Sequence, residues 1–171
     1  MVKQKSKTPA DFQKTLDKTY RFLSFRPRSE KEIADYLKKR KTLPSQVEKI
    51  FKILKEQKLI DDLAFASWWT QQRETFKPKG KIALAAELRQ KGVGKEIIEK
   101  ALAQINEFDL ARKALVKKLR IYCELPVEEF SKKISTFLSY RGFSWQTIKK
   151  ILNDYLEERQ RVAKNSKNDK I

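Results

Sequence analysis

Residues 84–102 read LAAELRQKGVGKEIIEKAL, and the fold is legible from this stretch. Leu84 and Leu88 stand four residues apart, as do Ile98 and Leu102, so each pair shares one helix face. Gly92 falls between the pairs, where a glycine ends a helix by taking up a left-handed conformation. The stretch reads as short helix, turn, longer helix, and it has a copy on either side. Ile33, Leu37, Lys41, Val47 and Phe51 stand 51 residues earlier; Ile134, Leu138, Gly142, Ile148 and Leu152 stand 50 residues later, all without gaps. A further helix precedes each copy, at roughly 10–25, 62–76 and 107–122. Self-similarity at a fixed period marks a tandem array, in which each unit has a small core that its neighbours enlarge. The expected fold is all-α, about nine helices in three three-helix repeats. The expected bounds are 1–9 for a basic N-terminal tail, 10–58, 59–106 and 107–158 for the repeats, and 159–171 for a basic C-terminal tail. The competing arrangement is one irregular helical bundle whose spacing is accidental.

Glycine and proline mark the joints. The chain has 4 Gly and 5 Pro, and Pro27, Pro44, Pro78 and Pro126 each precede an apolar-periodic run, while Gly92 and Gly142 each follow one. Ser29 with Glu32 and Ser45 with Glu48 have capping-box spacing. Thr8-Pro9-Ala10-Asp11, Asp61-Asp62 and Ser144 also mark helix starts. The first repeat carries Lys41 where the others carry glycine, which predicts a different turn there, capped by Ser45.

Composition excludes several chemistries. No histidine is present, so no Ser-His or Cys-His pair and no His-ligated zinc is available. Cys123 is the single cysteine, without an internal disulfide partner, and reads as a small apolar residue. The longest uncharged run, Leu63 to Gln72, has ten residues, too few to span a bilayer. Residues 1–8 are basic with no apolar stretch behind them, so no secretory signal is expected. No phosphate-cradling glycine loop is found, and no cofactor is expected.

The charge is +18, from 40 Lys+Arg against 22 Asp+Glu. Residues 1–10 and 160–171 each hold +3, leaving +12 on the body, and their Lys, Asn and Ser content favours disorder in both tails. Within the body the charge is clustered. Arg26 to Lys41 has seven basic and three acidic residues, Arg73 to Lys91 six and two, and Arg112 to Arg120 five and none. In the last segment Leu115 and Leu119 face inward, while Lys113, Lys117 and Arg120 share an outer face. Cations repeated on successive modules suit a polyanion, since neutralising phosphates releases counterions, and equally an acidic or nucleoprotein surface. Phe65, Trp68 and Trp69 share helical spacing and read as core packing before base stacking; Trp145 follows the cap Ser144. Asp61 and Asp62 are neighbours in sequence and do not converge on a helix, so they read as a helix start rather than a catalytic pair.

Four segments carry a further signal. They are Arg26-Pro27-Arg28-Ser29-Glu30-Lys31-Glu32; Leu59-Ile60-Asp61-Asp62-Leu63-Ala64-Phe65-Ala66 with Arg73 downstream; Gly80-Lys81 through Glu87-Leu88-Arg89-Gln90-Lys91-Gly92-Val93; and Phe137-Leu138 with Arg141-Gly142-Phe143-Ser144. In this order, over about residues 20–156, they resemble the RecX family of bacterial recombinase regulators. Trp68-Trp69 and the basic tails depart from the resemblance.

The resemblance implies an elongated, curved array of three repeats. It implies a cytoplasmic, monomeric regulatory protein that binds the RecA–DNA filament and inhibits RecA recombinase, ATPase and coprotease activity. That would place the chain in DNA repair, recombination and the SOS response, with weak, non-specific nucleic-acid contact, no membrane and no catalytic role. The residues expected to meet filament or phosphate are Arg26, Arg28, Arg73, Lys77, Lys79, Lys81, Arg89, Lys91, Arg141, Lys149 and Lys150. Arg28 and Arg141 have an alternative role as braces paired with buried carboxylates. Two other readings stand beside this one: a non-sequence-specific DNA-binding helical module, and a scaffold for acidic peptides.

Overall fold

A computed structural model describes the backbone of residues 9–168 and the side chains of residues 11–161. Among the described residues there are nine α-helices and no strands. They are α1 (Pro9–Ser24), α2 (Glu30–Lys39), α3 (Pro44–Glu56), α4 (Asp62–Phe76), α5 (Lys81–Gln90), α6 (Lys95–Ala103), α7 (Glu107–Tyr122), α8 (Val127–Tyr140) and α9 (Trp145–Asn168). The first helix of each repeat thus falls where the periodicity placed it. α9 runs on to Asn168, so residues 159–168 are helical where composition favoured disorder. Residues 1–8 and 169–171 lie outside the described residues.

The chain packs as two compact units. One holds residues up to Trp69 together with Leu88–Glu99; the other holds Thr70–Glu87 together with Lys100 onward. The boundaries fall inside α4, α5 and α6, so the helices of the middle repeat are shared out between the units. In the first unit Leu16, Ile33, Leu37, Ile50, Leu54 and Ile60 form a buried cluster. In the second, Leu110, Ala111, Leu115, Phe130, Ile134, Leu138, Phe143, Ile148 and Ile151 do so. The repeat register is visible in burial: Ile33, Leu84 and Ile134, and Leu37, Leu88 and Leu138, are all at 0% exposure.

The three turns share one geometry. Thr42 N–H donates to Leu37 O, Val93 N–H to Leu88 O and Phe143 N–H to Leu138 O, at 3.1–3.2 Å. The residue before each donor is left-handed: Lys41 at φ 53°, Gly92 at 83° and Gly142 at 74°. Lys41 therefore does not change the turn; a lysine accepts the left-handed well at a cost of about 1 kcal/mol. Nor does Ser45 cap α3. The N-cap is Leu43, with no side-chain bond, and Pro44 at the helix start lacks an N–H that would need capping. Ser29 does cap α2, accepting Glu32 N–H at 3.2 Å. Asp61 caps α4 through Leu63 N–H and Ala64 N–H, and Ser144 accepts Thr147 N–H at the start of α9. Cys123 is exposed at the end of α7, not part of the core.

One joint occurs in each unit. In the first, the start of α2 sits on the turn after α5: Ser29 Oγ donates to Lys91 O at 2.6 Å and Lys31 Nζ to Gln90 O at 3.1 Å. In the second, the start of α5 sits on the turn after α8: Gly80 N–H donates to Arg141 O at 3.0 Å and Ile82 N–H to Gly142 O at 3.2 Å. Ser29 and Gly80, and Lys31 and Ile82, are 51 residues apart, so the joint is itself repeated. A carboxylate closes each one. Asp62, opening α4, accepts Glu30 N–H at 2.9 Å; Glu107, opening α7, accepts Lys81 N–H at 2.8 Å. Glu107 also accepts from Ser144 Oγ at 2.6 Å and Thr147 Oγ1 at 2.7 Å. Burial pushes both carboxyls up. At Glu107 the bonds from Ser144, Thr147 and Lys81 outweigh burial and leave it lowered, whereas Asp62, with a single backbone bond, stays raised.

A Cβ on Gly142 would overlap Ala83, and its φ already disfavours a side chain. Gly142→Ala is expected to lose about 2 kcal/mol or more, while Lys41→Gly changes stability by less than about 1 kcal/mol. Thermal denaturation of the two variants checks both.

Candidate functional site

The eleven expected basic residues divide by environment. Lys77, Arg89, Lys149 and Lys150 are exposed; Arg26, Arg28, Arg73, Lys79, Lys81, Lys91 and Arg141 are half-buried. The half-buried ones are mostly occupied within the fold. In the first unit Arg26 grips Glu32 with two bonds of 2.8 and 3.0 Å, and Lys91 Nζ reaches the same carboxylate at 2.6 Å. Trp68 and Trp69 lie behind this group. The Arg26 guanidinium is 5.7 Å and 6.0 Å from their rings, and Lys91 Nζ is 5.1 Å from Trp69. The tryptophans are half-buried rather than core, and Phe65, at 1% exposure, is the aromatic that fills the interior beneath them.

Arg28 and Arg141 brace the fold, but not through carboxylates. Arg28 lies 3.9 Å over Phe22, itself stacked on Tyr36 at 4.2 Å, and its Nε donates to Phe22 O at 3.4 Å. Burial, then the charge of Arg26, lowers its pKa. In the second unit Arg141 donates to Pro78 O at 3.0 Å and lies 4.8 Å over Phe137. Neutral carbonyls and rings hold these guanidiniums without cancelling their charge.

The second unit has its own shared carboxylate. Arg73 Nε and Lys79 Nζ both bind Glu87, at 2.8 and 2.5 Å. Each unit thus sets two cations on one half-buried carboxylate and keeps a surplus positive charge. Glu32 and Glu87 organise these clusters, a role not evident from the capping-box spacing of Glu32 or from the motif that holds Glu87. The signal was an acid inside an otherwise basic segment, but the pairing needs the fold, since Lys91 is 59 residues from Glu32. The segment Phe25-Arg26-Pro27-Arg28-Ser29 extends the first motif by Phe25, and its repetition is not evident from that motif alone. It recurs 51 residues on as Phe76-Lys77-Pro78-Lys79-Gly80. Both phenylalanines stand in solvent, Phe25 at 72% and Phe76 at 78% exposure. Among the described residues no three Cys, Asp or Glu side chains converge as they would around a metal ion, and no helix is long and apolar enough to cross a membrane.

Comparison with known proteins agrees with this architecture. Family profiles described as the first, second and third three-helix domains of RecX match residues 16–50, 61–102 and 106–152. A relative from Chlorobaculum tepidum named "Regulatory protein RecX" is 36% identical over 143 residues, covering 84% of this chain and 89% of that protein. One of the same name from Prosthecochloris aestuarii is 35% identical, covering 86% of this chain and 97% of its own. A solved structure described as "Crystal structure of regulatory protein RecX" superposes with a TM-score of 0.72 at 30% identity, over 90% of this chain and 83% of that one. RecX from Lactobacillus salivarius superposes at 0.77 with 23% identity, over 86% of this chain and 97% of that one, a likeness of fold.

The Glu32 carboxyl tests the first cluster. Burial pushes it up, but the hydrogen bonds and charges of Arg26 and Lys91 prevail and hold it at about 2, against an ordinary 4.5. A depressed carboxyl contributes stability that is complete above pH 4.5 and is lost as pH falls from there toward 2. Glu32→Gln is expected to cost about 1–2 kcal/mol at pH 7, after allowance for solvent screening, and to flatten the pH dependence below 4.5. Urea denaturation across that range checks the outcome.

Proposed function

The chain belongs to the RecX family, and we propose that it regulates the RecA recombinase, binding the RecA–DNA filament and inhibiting strand exchange, ATP hydrolysis and coprotease activity. The observation that carries the reading is the ordered set of three RecX domains across residues 16–152. The charge supports it. A body at +12 gains counterion-release and steering energy on a polyanionic surface, without reading sequence. The exposed Lys77, Arg89, Lys149 and Lys150 make the electrostatic contacts. Arg26, Arg73, Lys79 and Lys91 act through their shared carboxylates, which fix the shape of the basic surface. In this role the protein acts as a monomer in the cytoplasm, without catalysis of its own.

The repeated Phe-cation-Pro-cation segment supports a filament in particular. Two exposed phenylalanines in equivalent contexts fit a partner that repeats one surface along a polymer, because two weak anchors on one chain act at high effective concentration. A second reading, a plain duplex-binding module, is favoured by the net charge alone. It predicts tight binding to naked duplex and indifference to RecA.

Purified protein is expected to inhibit RecA ATPase on single-stranded DNA at physiological salt. Phe25→Ala and Phe76→Ala are each expected to weaken inhibition about 5- to 10-fold, with a larger loss in the double variant and unchanged thermal stability. ATPase titrations check this; no inhibition by the wild type would remove the reading.

A further inference from the structure

The second unit carries an aromatic and cationic patch of which the filament reading uses only Arg141. Tyr122 ends α7, and Phe137 and Tyr140 lie near the end of α8. Tyr122 and Phe137 are half-buried against the core of this unit, and Tyr140 is 91% exposed. Together with Glu129, Lys132, Lys133 and Thr136 they line an open groove of about 530 Å³. Positions 129, 133, 136 and 140 follow one face of α8, so a single helix supplies most of the groove. Cations border the rings. Lys118 Nζ lies 5.8 Å from both Tyr122 and Phe137, Lys133 Nζ 5.9 Å from Tyr122, and the Arg141 guanidinium 4.8 Å from Phe137. Among the described residues the only carboxylate lining the groove is Glu129, already paired with Lys133 at 3.3 Å.

We propose that this groove binds unpaired bases of single-stranded DNA, with Tyr140 as the stacking platform and Lys118, Lys132 and Arg141 on the phosphates. A large ring held in water carries an unfavourable hydration term that a stacked base relieves, and every base has a face to stack. The surplus of ammonium and guanidinium groups around the rings complements a phosphate backbone, and would repel a basic peptide. A duplex hides its base faces, so the patch discriminates single from double strands through stacking rather than hydrogen bonds. The geometry points to an unpaired strand; the choice of DNA over RNA rests on the function proposed above.

The test uses the full chain without recombinase. Fluorescence anisotropy measures binding of labelled oligo-dT, oligo-rU and a duplex of equal length at two salt concentrations. The wild type is expected to prefer oligo-dT to duplex. Tyr140→Ala is expected to weaken oligo-dT binding about 5- to 100-fold and duplex binding little. Lys132→Ala is expected to lower the salt slope by about 0.7, the share of one phosphate on a single strand. Tyr140 is exposed, so its loss leaves the fold intact, and circular dichroism checks that. Equal binding of duplex, or oligo-dT binding by Tyr140→Ala at wild-type strength, overturns the proposal, and preference for oligo-rU overturns the choice of DNA. Wild-type inhibition of RecA ATPase, measured in parallel, separates the two ideas: inhibition without oligo-dT binding removes this groove and leaves the regulatory reading standing.

Discussion

The rest of the structure depends on one close approach, the start of a helix seated on the turn that ends another. A helix start leaves backbone N–H groups without partners, and a turn that ends a helix leaves carbonyls without partners. In the second unit each satisfies the other, and in the first the side chains of the helix start supply the donors. Gly80 N–H meets Arg141 O and Ile82 N–H meets Gly142 O, while Ser29 Oγ meets Lys91 O. Such a fit leaves no room for extra atoms. A Cβ at Gly80 would strike the backbone of Gly142 and Phe143, and one at Gly92 would come within 2.5 Å of the Lys31 side chain. Gly92 and Gly142 are therefore fixed both by the left-handed turn and by the neighbour that lies on it, and Gly80 by the close backbone approach alone.

Carboxylates complete this arrangement and link it to the charged surface. Glu107 closes the joint in the second unit by binding Lys81 N–H, Ser144 and Thr147, and Asp62 does the simpler version in the first. Glu32 and Glu87 have a different task, each gathering two cations. A strongly basic chain faces self-repulsion when it folds, and a half-buried acid between two cations relieves it locally while leaving a positive surplus. The positive charge is thereby reconciled with close packing inside each unit. The same logic places Arg28 and Arg141 over aromatic rings and against carbonyl oxygens, which leave their charge uncancelled and, at Arg28, offset part of the desolvation that burial imposes.

Much of the fold was legible because helical periodicity and burial are the same fact. Ile33, Leu84 and Ile134 align in sequence because each must vanish into a core. The turn at Lys41 was misread because a lysine can adopt the left-handed well that glycine prefers, and nothing local distinguishes a tolerated cost from a different turn. Ser45 was misread for a similar reason: its spacing from Glu48 fits a capping box, but Pro44 takes the first helical position ahead of it. Cys123 reads as apolar by residue type, yet it falls past the last buried turn of α7 and is left in solvent.

The sequence by itself determined the helices, their order, the 51- and 50-residue register and the excess of positive charge, because these follow from spacing along the chain. It also held the repeated Phe-cation-Pro-cation segment, readable by the same offset. Only the tertiary structure decided which cations are occupied and which face outward. It brought Lys91 to Glu32 across 59 residues, Arg141 to Pro78 across 63, and set Lys118 between two rings on different helices. Those choices depend on where the joints place one helix against another, and chain spacing carries no information about that distance.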